Sequence, residues 1–199
     1  MEQKTQQPSA PQAWAATWIW TPGNPHGSHV FVQFRREFTL SHPSREAALF
    51  ITASHFYELW INGVFIGRGP DRCDPREQRF HCYDVTSYMR EGVNCVAALV
   101  YHDTSRHEWT LQASAHGLLV QLETDDVQIV TDESWTTRQL QGYTVASHFD
   151  YFTLAEFYDA RSDPPDWQQP GFDDGQWQTA PCVLRGNPLS HSDIPAARL

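Results

Sequence analysis

The sequence predicts an all-β protein, an antiparallel β-sandwich of jelly-roll type. Three observations carry this. Short apolar runs recur about every 8 to 12 residues, with turn-forming residues between them, as strands of a sandwich do. No stretch sustains the 3.6-residue period of an amphipathic helix. Aromatic residues make up 13% of the 199 residues, with eight Trp, eleven Phe and seven Tyr, and flat rings suit packing between sheets. The same rings suit stacking on sugar C–H faces.

In order, Trp18-Ile19-Trp20 reads as a short strand that Pro22-Gly23-Asn24-Pro25 ends. Val30 to Leu40 alternates Val30, Val32 and Phe34 against Phe31, Gln33 and Arg35, and reads as a long strand. Ala47 to Ser54 follows, after a turn at 41–44. His55 to Pro70 (HFYELWINGVFIGRGP) is the strongest local signal. Asn62-Gly63 tolerates the positive φ that a type I′ turn demands. That turn sets Ile61 opposite Val64, Leu59 opposite Ile66, and Trp60 opposite Phe65 on the other face. Apolar bulk on both faces predicts a central strand pair covered on both sides.

A polar loop spans 69–78, and Arg79 to Asp84 returns as a strand. Val85 to Arg90 reads as one helical turn, with Asp84 or Thr86 as its cap and Gly92 as its stop. Val93 to His102 is nearly all apolar and reads as a buried central strand. Trp109 to Ser114, Gly117 to Thr124, Val127 to Thr131 and Ser134 to Leu140 follow as strands, with Asp125-Asp126 at a turn.

Residues 1–13 read as a flexible leader and 14–185 as the sandwich domain. Within it, about 147–185 either completes the sandwich or forms a small sub-domain. Residues 186–199 have little pattern and read as a linker. The net charge of −10 argues against nucleic acid, which needs a basic patch. No apolar run approaches a membrane span, and the leader is not a signal peptide, so localisation defaults to cytoplasm. None of Cys73, Cys82, Cys95 and Cys182 forms a CxxC pair. Free thiols are expected, with a Cys73–Cys82 bridge as the alternative.

The residues that point to chemistry lie in loops and in the last third. Jelly rolls hold ligands in loops at the sheet ends. There Asp71 and Arg72 (with Asp74 and Arg76) lie in one loop, and His107 and Trp109 in another. Trp109 reads equally as a sugar platform or as the first core residue of its strand. In YFTLAEFYDAR, Asp159 and Arg161 beside Tyr158 form a set able to grip vicinal hydroxyls, and Glu156 alternates onto the face of Tyr158. The plainer reading of Asp159 and Arg161, and the preferred one, is an internal salt bridge that pins the last strand. Asp173 and Asp174 in FDDGQW read as a turn that docks Trp177 back on the sandwich. His102, His107 and Glu108 lack the i, i+2 spacing that sets two metal ligands on one strand face. No catalytic residue is assigned.

Several segments resemble the N-terminal β-sandwich domain of bacterial α-L-rhamnosidases, glycoside hydrolase family 78. They are WIW, YELWINGVFIGRGP, YDVTSYMREGVNCVAALV, DESWTT, EFYDAR and GFDDGQWQTA, running from about Trp18 to Cys182. Three of them, the hairpin, the DVT…GxN segment and FDDxxW, are also similar to galactose-binding-domain-like jelly rolls of β-galactosidases. The resemblance implies a non-catalytic, carbohydrate-associated domain that docks on a helical catalytic barrel and contacts a rhamnose-containing glycan. Its partners would then be carbohydrate and its own catalytic domain, where the chain continues past 199. No cofactor is expected. Calcium on the Asp173 and Asp174 oxygens is the alternative, since some rhamnose-binding modules of this kind use calcium. Two other functions stand against this one. A structural or oligomerising sandwich would show a continuous apolar patch. A self-contained hydrolase would need two opposed carboxylates roughly 5 to 10 Å apart.

Overall fold

The computed structural model describes residues 10–11, 13–23, 29–71, 73–74, 77–102, 116–146, 155–183 and 189–191. The strands are β1 (Val30–Leu40), β2 (Ala47–Ala53), β3 (Phe56–Ile61), β4 (Val64–Gly69), β5 (Gln78–Asp84), β6 (Gly92–His102), β7 (Leu118–Thr124), β8 (Gln128–Val130), β9 (Thr136–Gln139), β10 (Tyr143–Ala146), β11 (Ala155–Tyr158), β12 (Gln178–Thr179) and β13 (Leu189–His191). They build two sheets, ordered β12-β9-β1-β6-β3-β4 and β13-β5-β2-β7-β8, while β10 and β11 form a separate two-stranded ribbon. Ladders within both sheets are antiparallel, except that β13 runs parallel to β5. The architecture is the all-β antiparallel sandwich that the strand spacing predicts.

Alternation places one face of each strand in the core. Val32, Phe34, Leu59, Ile61, Val96, Ala98 and Val100 of the first sheet meet Leu49, Ile51, Tyr83, Val120 and Leu122 of the second. The same alternation turns Phe31, Gln33 and Arg35 of β1, Phe56, Glu58 and Trp60 of β3, and Tyr101 of β6 to the outer face of the six-stranded sheet.

The Asn62-Gly63 turn has the required positive φ, 51° and 78°. Its asparagine also ties the hairpin to the sheet. Asn62 Nδ2 donates to the Tyr88 carbonyl (2.9 Å) and to Asn94 Oδ1 (2.8 Å), and Cys95 N donates to Asn62 Oδ1 (2.7 Å). The helical turn is a 3₁₀ turn at Thr86–Tyr88. Thr86 N donates to Asp84 Oδ1 (3.0 Å), Ala47 N donates to the Thr86 hydroxyl (2.9 Å), and Asn94 Nδ2 donates to the Arg90 and Gly92 carbonyls (2.7 and 3.0 Å). The DVT and GVN motifs are therefore structural ties.

Four expectations are corrected. Trp18-Ile19-Trp20 is not a strand: Ile19 makes isolated bridges to Leu118 and Cys182. A β-bulge between Leu59 and Trp60 sets Leu59 opposite Gly67, not Ile66, while Ile61–Val64 and Trp60–Phe65 pair as expected. The extra residue of a bulge shifts every partner beyond it. The hairpin is not wholly central either, because β4 is an edge strand and Val64 is exposed. Its second face carries apolar bulk because the chain around Trp167 covers it, with the Trp60 and Trp167 rings 5.5 Å apart edge to face. Finally, 189–191 pair with Gln78–Phe80 as a strand, where a patternless linker was expected. All four cysteines are free, which rules out the Cys73–Cys82 bridge. The strand expected at Trp109 to Ser114 lies outside the described residues.

Candidate functional site

The strand ends set the stage. Tyr57 pairs with Gly69, Phe56 with Tyr101, and Val30 with His102. The start of β3, the end of β4, the end of β6 and the start of β1 therefore share one end of the sandwich. The roots of the two loops that carry Asp71 and Arg72, and His107 and Trp109, meet there. Arg72, His107 and Trp109 themselves lie outside the described residues.

Asp71 is engaged inward. Its carboxylate lies 3.0 Å from Nε2 of the buried His81, His81 Nδ1 lies 2.8 Å from the Tyr57 hydroxyl, and Tyr57 lies 3.2 Å from the Tyr83 hydroxyl. One ring nitrogen of His81 thus bonds the Asp71 carboxylate and the other the Tyr57 hydroxyl, which in turn bonds that of Tyr83. Burial, then the neighbouring Tyr83, push the Tyr57 pKa well up, so the phenol stays protonated. The chain closes under the end of β4. A Cβ at Gly69 would stand 2.5 Å from the His81 ring. It is a locking network for the Gly69–Asp71 segment.

The last third supplies the second feature. Tyr143 and Tyr158 are register partners on β10 and β11, and their rings stack at 4.4 Å. Tyr143 also stacks on Phe31 of β1 at 3.8 Å. Phe31 meets Tyr101 at 4.8 Å, and Tyr101 meets Phe56 at 6.4 Å. These five rings form a column along the outer face of the six-stranded sheet. Its middle ring, Phe31, is buried, while the end rings Phe56 and Tyr158 are 51% and 45% exposed. The Tyr158 hydroxyl donates to Asp163, and burial and that carboxylate raise its pKa.

Beside Tyr158, Asp159 and Arg161 form a two-pronged pair, Nε to Oδ1 at 2.8 Å and Nη2 to Oδ2 at 2.6 Å. Arg161 holds the Asp159 pKa below the usual carboxylate range. The pair is exposed, with the Arg161 side chain at 90%. Asp159 caps the 3₁₀ turn (Ala160–Ser162) that carries Arg161, and among the described residues the pair bonds no other strand. This differs from the internal bridge expected, because an i, i+2 spacing at a turn keeps both groups at the surface. Glu156 sits on β11, opposite Val145.

The structure brings Tyr158, Asp159 and Arg161 together and sets Asp71 apart from them on His81. Sequence reasoning missed Phe31, Phe56 and Tyr101, because each alternates plausibly on its own strand and only the register aligns them, and Tyr143, because its short strand carries no clear pattern. It also missed Arg35. That side chain is 1% exposed, and all five of its N–H groups are satisfied. Nε donates to the Trp167 carbonyl (3.1 Å). Nη1 donates to the Phe172 carbonyl (3.3 Å) and Asp174 Oδ2 (2.5 Å), and Nη2 to the Gln169 carbonyl (3.0 Å) and Glu37 Oε1 (2.5 Å). Burial alone lowers the guanidinium pKa, but the Cys95 sulfur and the two carboxylates outweigh it and the net shift is upward.

Asp173 and Asp174 do make the expected turn: Asp173 Oδ1 accepts from Gly175 N (3.0 Å), and Trp177 packs on Trp167 and Phe172. Asp174 Oδ2 is taken by Arg35 and by the Thr136 hydroxyl (2.9 Å), and among the described residues no three His, Cys, Asp or Glu side chains cluster as ligands.

Fold and topology together define an antiparallel β-sandwich domain. Residues 42–197 match the family model described as "Alpha-L-rhamnosidase N-terminal domain". The chain belongs to that family. It is 33% identical over 181 residues to an α-L-rhamnosidase of Streptomyces avermitilis, an alignment covering 82% of this chain and 16% of that protein. The structure superposes on a glycoside hydrolase family 78 rhamnosidase of Bacillus sp. GL1 with a TM-score of 0.82 and 32% identity, over 94% of this chain and 20% of that one. It shares the fold of an S. avermitilis α-L-rhamnosidase complexed with L-rhamnose, at TM-score 0.61 and 22% identity, over 87% of this chain and 15% of that one. The chain thus spans about a fifth or less of the length of these relatives.

Proposed function

We propose that this sandwich is a non-catalytic domain of an α-L-rhamnosidase-like glycoside hydrolase that contacts rhamnose-containing carbohydrate and docks on the catalytic part. One observation carries the sugar contact: the exposed Tyr158 ring lies in sequence beside an exposed, two-pronged Asp159–Arg161 pair. An aromatic face takes the C–H side of a pyranose, and a charged donor and acceptor take its hydroxyls. The engagement of three carboxylates supports a non-catalytic role. Asp71, Glu37 and Asp174 are engaged by His81 and Arg35 rather than opposed across a cleft.

The test is calorimetric titration of the 199-residue chain with L-rhamnose and, as a control, galactose. Saturable heat with rhamnose is expected, with affinity falling roughly tenfold in Tyr158→Ala, the scale of one lost stacked ring. No heat up to tens of millimolar sugar would overturn the sugar contact and leave docking as the role.

A further inference from the structure

The two open ends of the ring column are not equivalent, and only one of them lies in the segment just assigned to sugar. The other end is Phe56, at the start of β3. Glu58 follows it two residues on and so shares its face. Arg68 of β4 stands opposite Glu58 in the ladder, which places both side chains on that face. Phe56 thus has what Tyr158 has: an exposed ring with a carboxylate and a guanidinium alongside. His29 Nδ1 and the Tyr101 hydroxyl, 2.7 Å apart, add polar atoms next to the ring beneath it. Phe56, Tyr101 and Phe31 sit on adjacent strands β3, β6 and β1, so this part alone covers about 10 Å at normal strand spacing. Tyr143 and Tyr158 extend it further. Phe157, also exposed at 62%, points to the opposite side of the ribbon from Tyr158 and takes no part.

From this arrangement we infer that the column is one extended carbohydrate site with two polar-flanked aromatic ends. Its ligand is an oligosaccharide lying across β3, β6, β1 and the β10–β11 ribbon, not a single sugar. The inference rests on the sugar contact proposed above. The buried Phe31 ring and the half-buried Tyr101 and Tyr143 rings hold the ribbon against the sheet and keep the two ends in register.

The experiment compares L-rhamnose with an α-linked rhamnotetraose on the 199-residue chain, by calorimetry. Two engaged ends predict that the tetrasaccharide binds at least tenfold tighter than the monosaccharide. They also predict that Phe56→Ala and Arg68→Ala each remove most of that gain. Val93→Ala, an exposed change at the far end of the sandwich, should leave both affinities as they are. Equal affinity for the two sugars overturns the extended site while leaving the Tyr158 contact standing. So does a tetrasaccharide affinity indifferent to Phe56→Ala. No heat with either sugar overturns both.

Discussion

Two arginine–aspartate pairs in this molecule have the same chemistry and opposite surroundings. Arg35–Asp174 is buried, at 1% exposure for the arginine, and joins strands to a segment some 139 residues away. Arg161–Asp159 is two residues apart in sequence and exposed. The first pair is structural because every donor of its buried guanidinium is committed to an acceptor within the protein. The 165–177 segment has almost no regular structure of its own. It is held on the outer sheet face by three of its carbonyls and one carboxylate gathered on a single guanidinium, with the Phe172 ring 5.3 Å from that group's carbon. The second pair keeps its charges in water, where an ion pair contributes little to stability but stays available to a ligand.

The comparison predicts a graded series. Arg35→Met should cost the most, about 3 to 5 kcal/mol, because five acceptors lose their donor inside the protein. That corresponds to roughly 10 °C in the thermal midpoint for a chain of this size. A loss under about 1 kcal/mol in urea unfolding would break the contrast. Asp174→Asn keeps the shape and removes one charged acceptor, so about 1.5 to 3 kcal/mol is expected by the same measurement.

A pH effect comes from Cys95, which lies 3.7 Å from Arg35 Nη2. Burial, partly opposed by the Arg35 charge, raises this thiol from 9.0 to about 11. The folded state therefore holds the proton longer than the unfolded state. The stabilisation is fully present below pH 9 and is lost as pH rises from 9 to about 11. The thermal midpoint of the wild type should fall across that window, and the fall should flatten in Cys95→Ala. The smallest effect belongs to the exposed pair. Arg161→Ala should leave the urea midpoint essentially where it is while weakening rhamnose binding in calorimetry. A large loss of stability there would show that the turn pins the ribbon after all.

Most of the frame was legible in the residues. β1 was predicted at its observed ends, because Val30, Val32, Phe34, Phe38 and Leu40 fall on one face of an extended chain, with Arg36 alone breaking the pattern. The Asn62-Gly63 turn was legible because few dipeptides accept that backbone. The bulge at Leu59/Trp60 was not, since nothing in a strand's own sequence marks the extra residue when both neighbours are apolar. The β10–β11 ribbon was missed for a related reason: Tyr143–Ala146 is short, mixed and without a turn signal next to its partner. Of the candidate site, the grouping of Tyr158, Asp159 and Arg161 was readable from adjacency. The inward engagement of Asp71 was not, because its partner His81 arrives from another strand.

The sequence by itself determined the all-β class, the strand faces, the hairpin turn and the Asp84 cap on the 3₁₀ turn. These depend on period, on backbone tolerance and on bonds between residues close along the chain. The tertiary structure alone decided that Arg35 is buried and satisfied, that Asp71 serves a histidine, and that five rings from β3, β6, β1, β10 and β11 stand in one column. Each of these depends on which distant segments lie side by side. Alternation assigns a side chain to a face, but only the ladder register, and the segment that does or does not cover that face, says whether it meets protein or water.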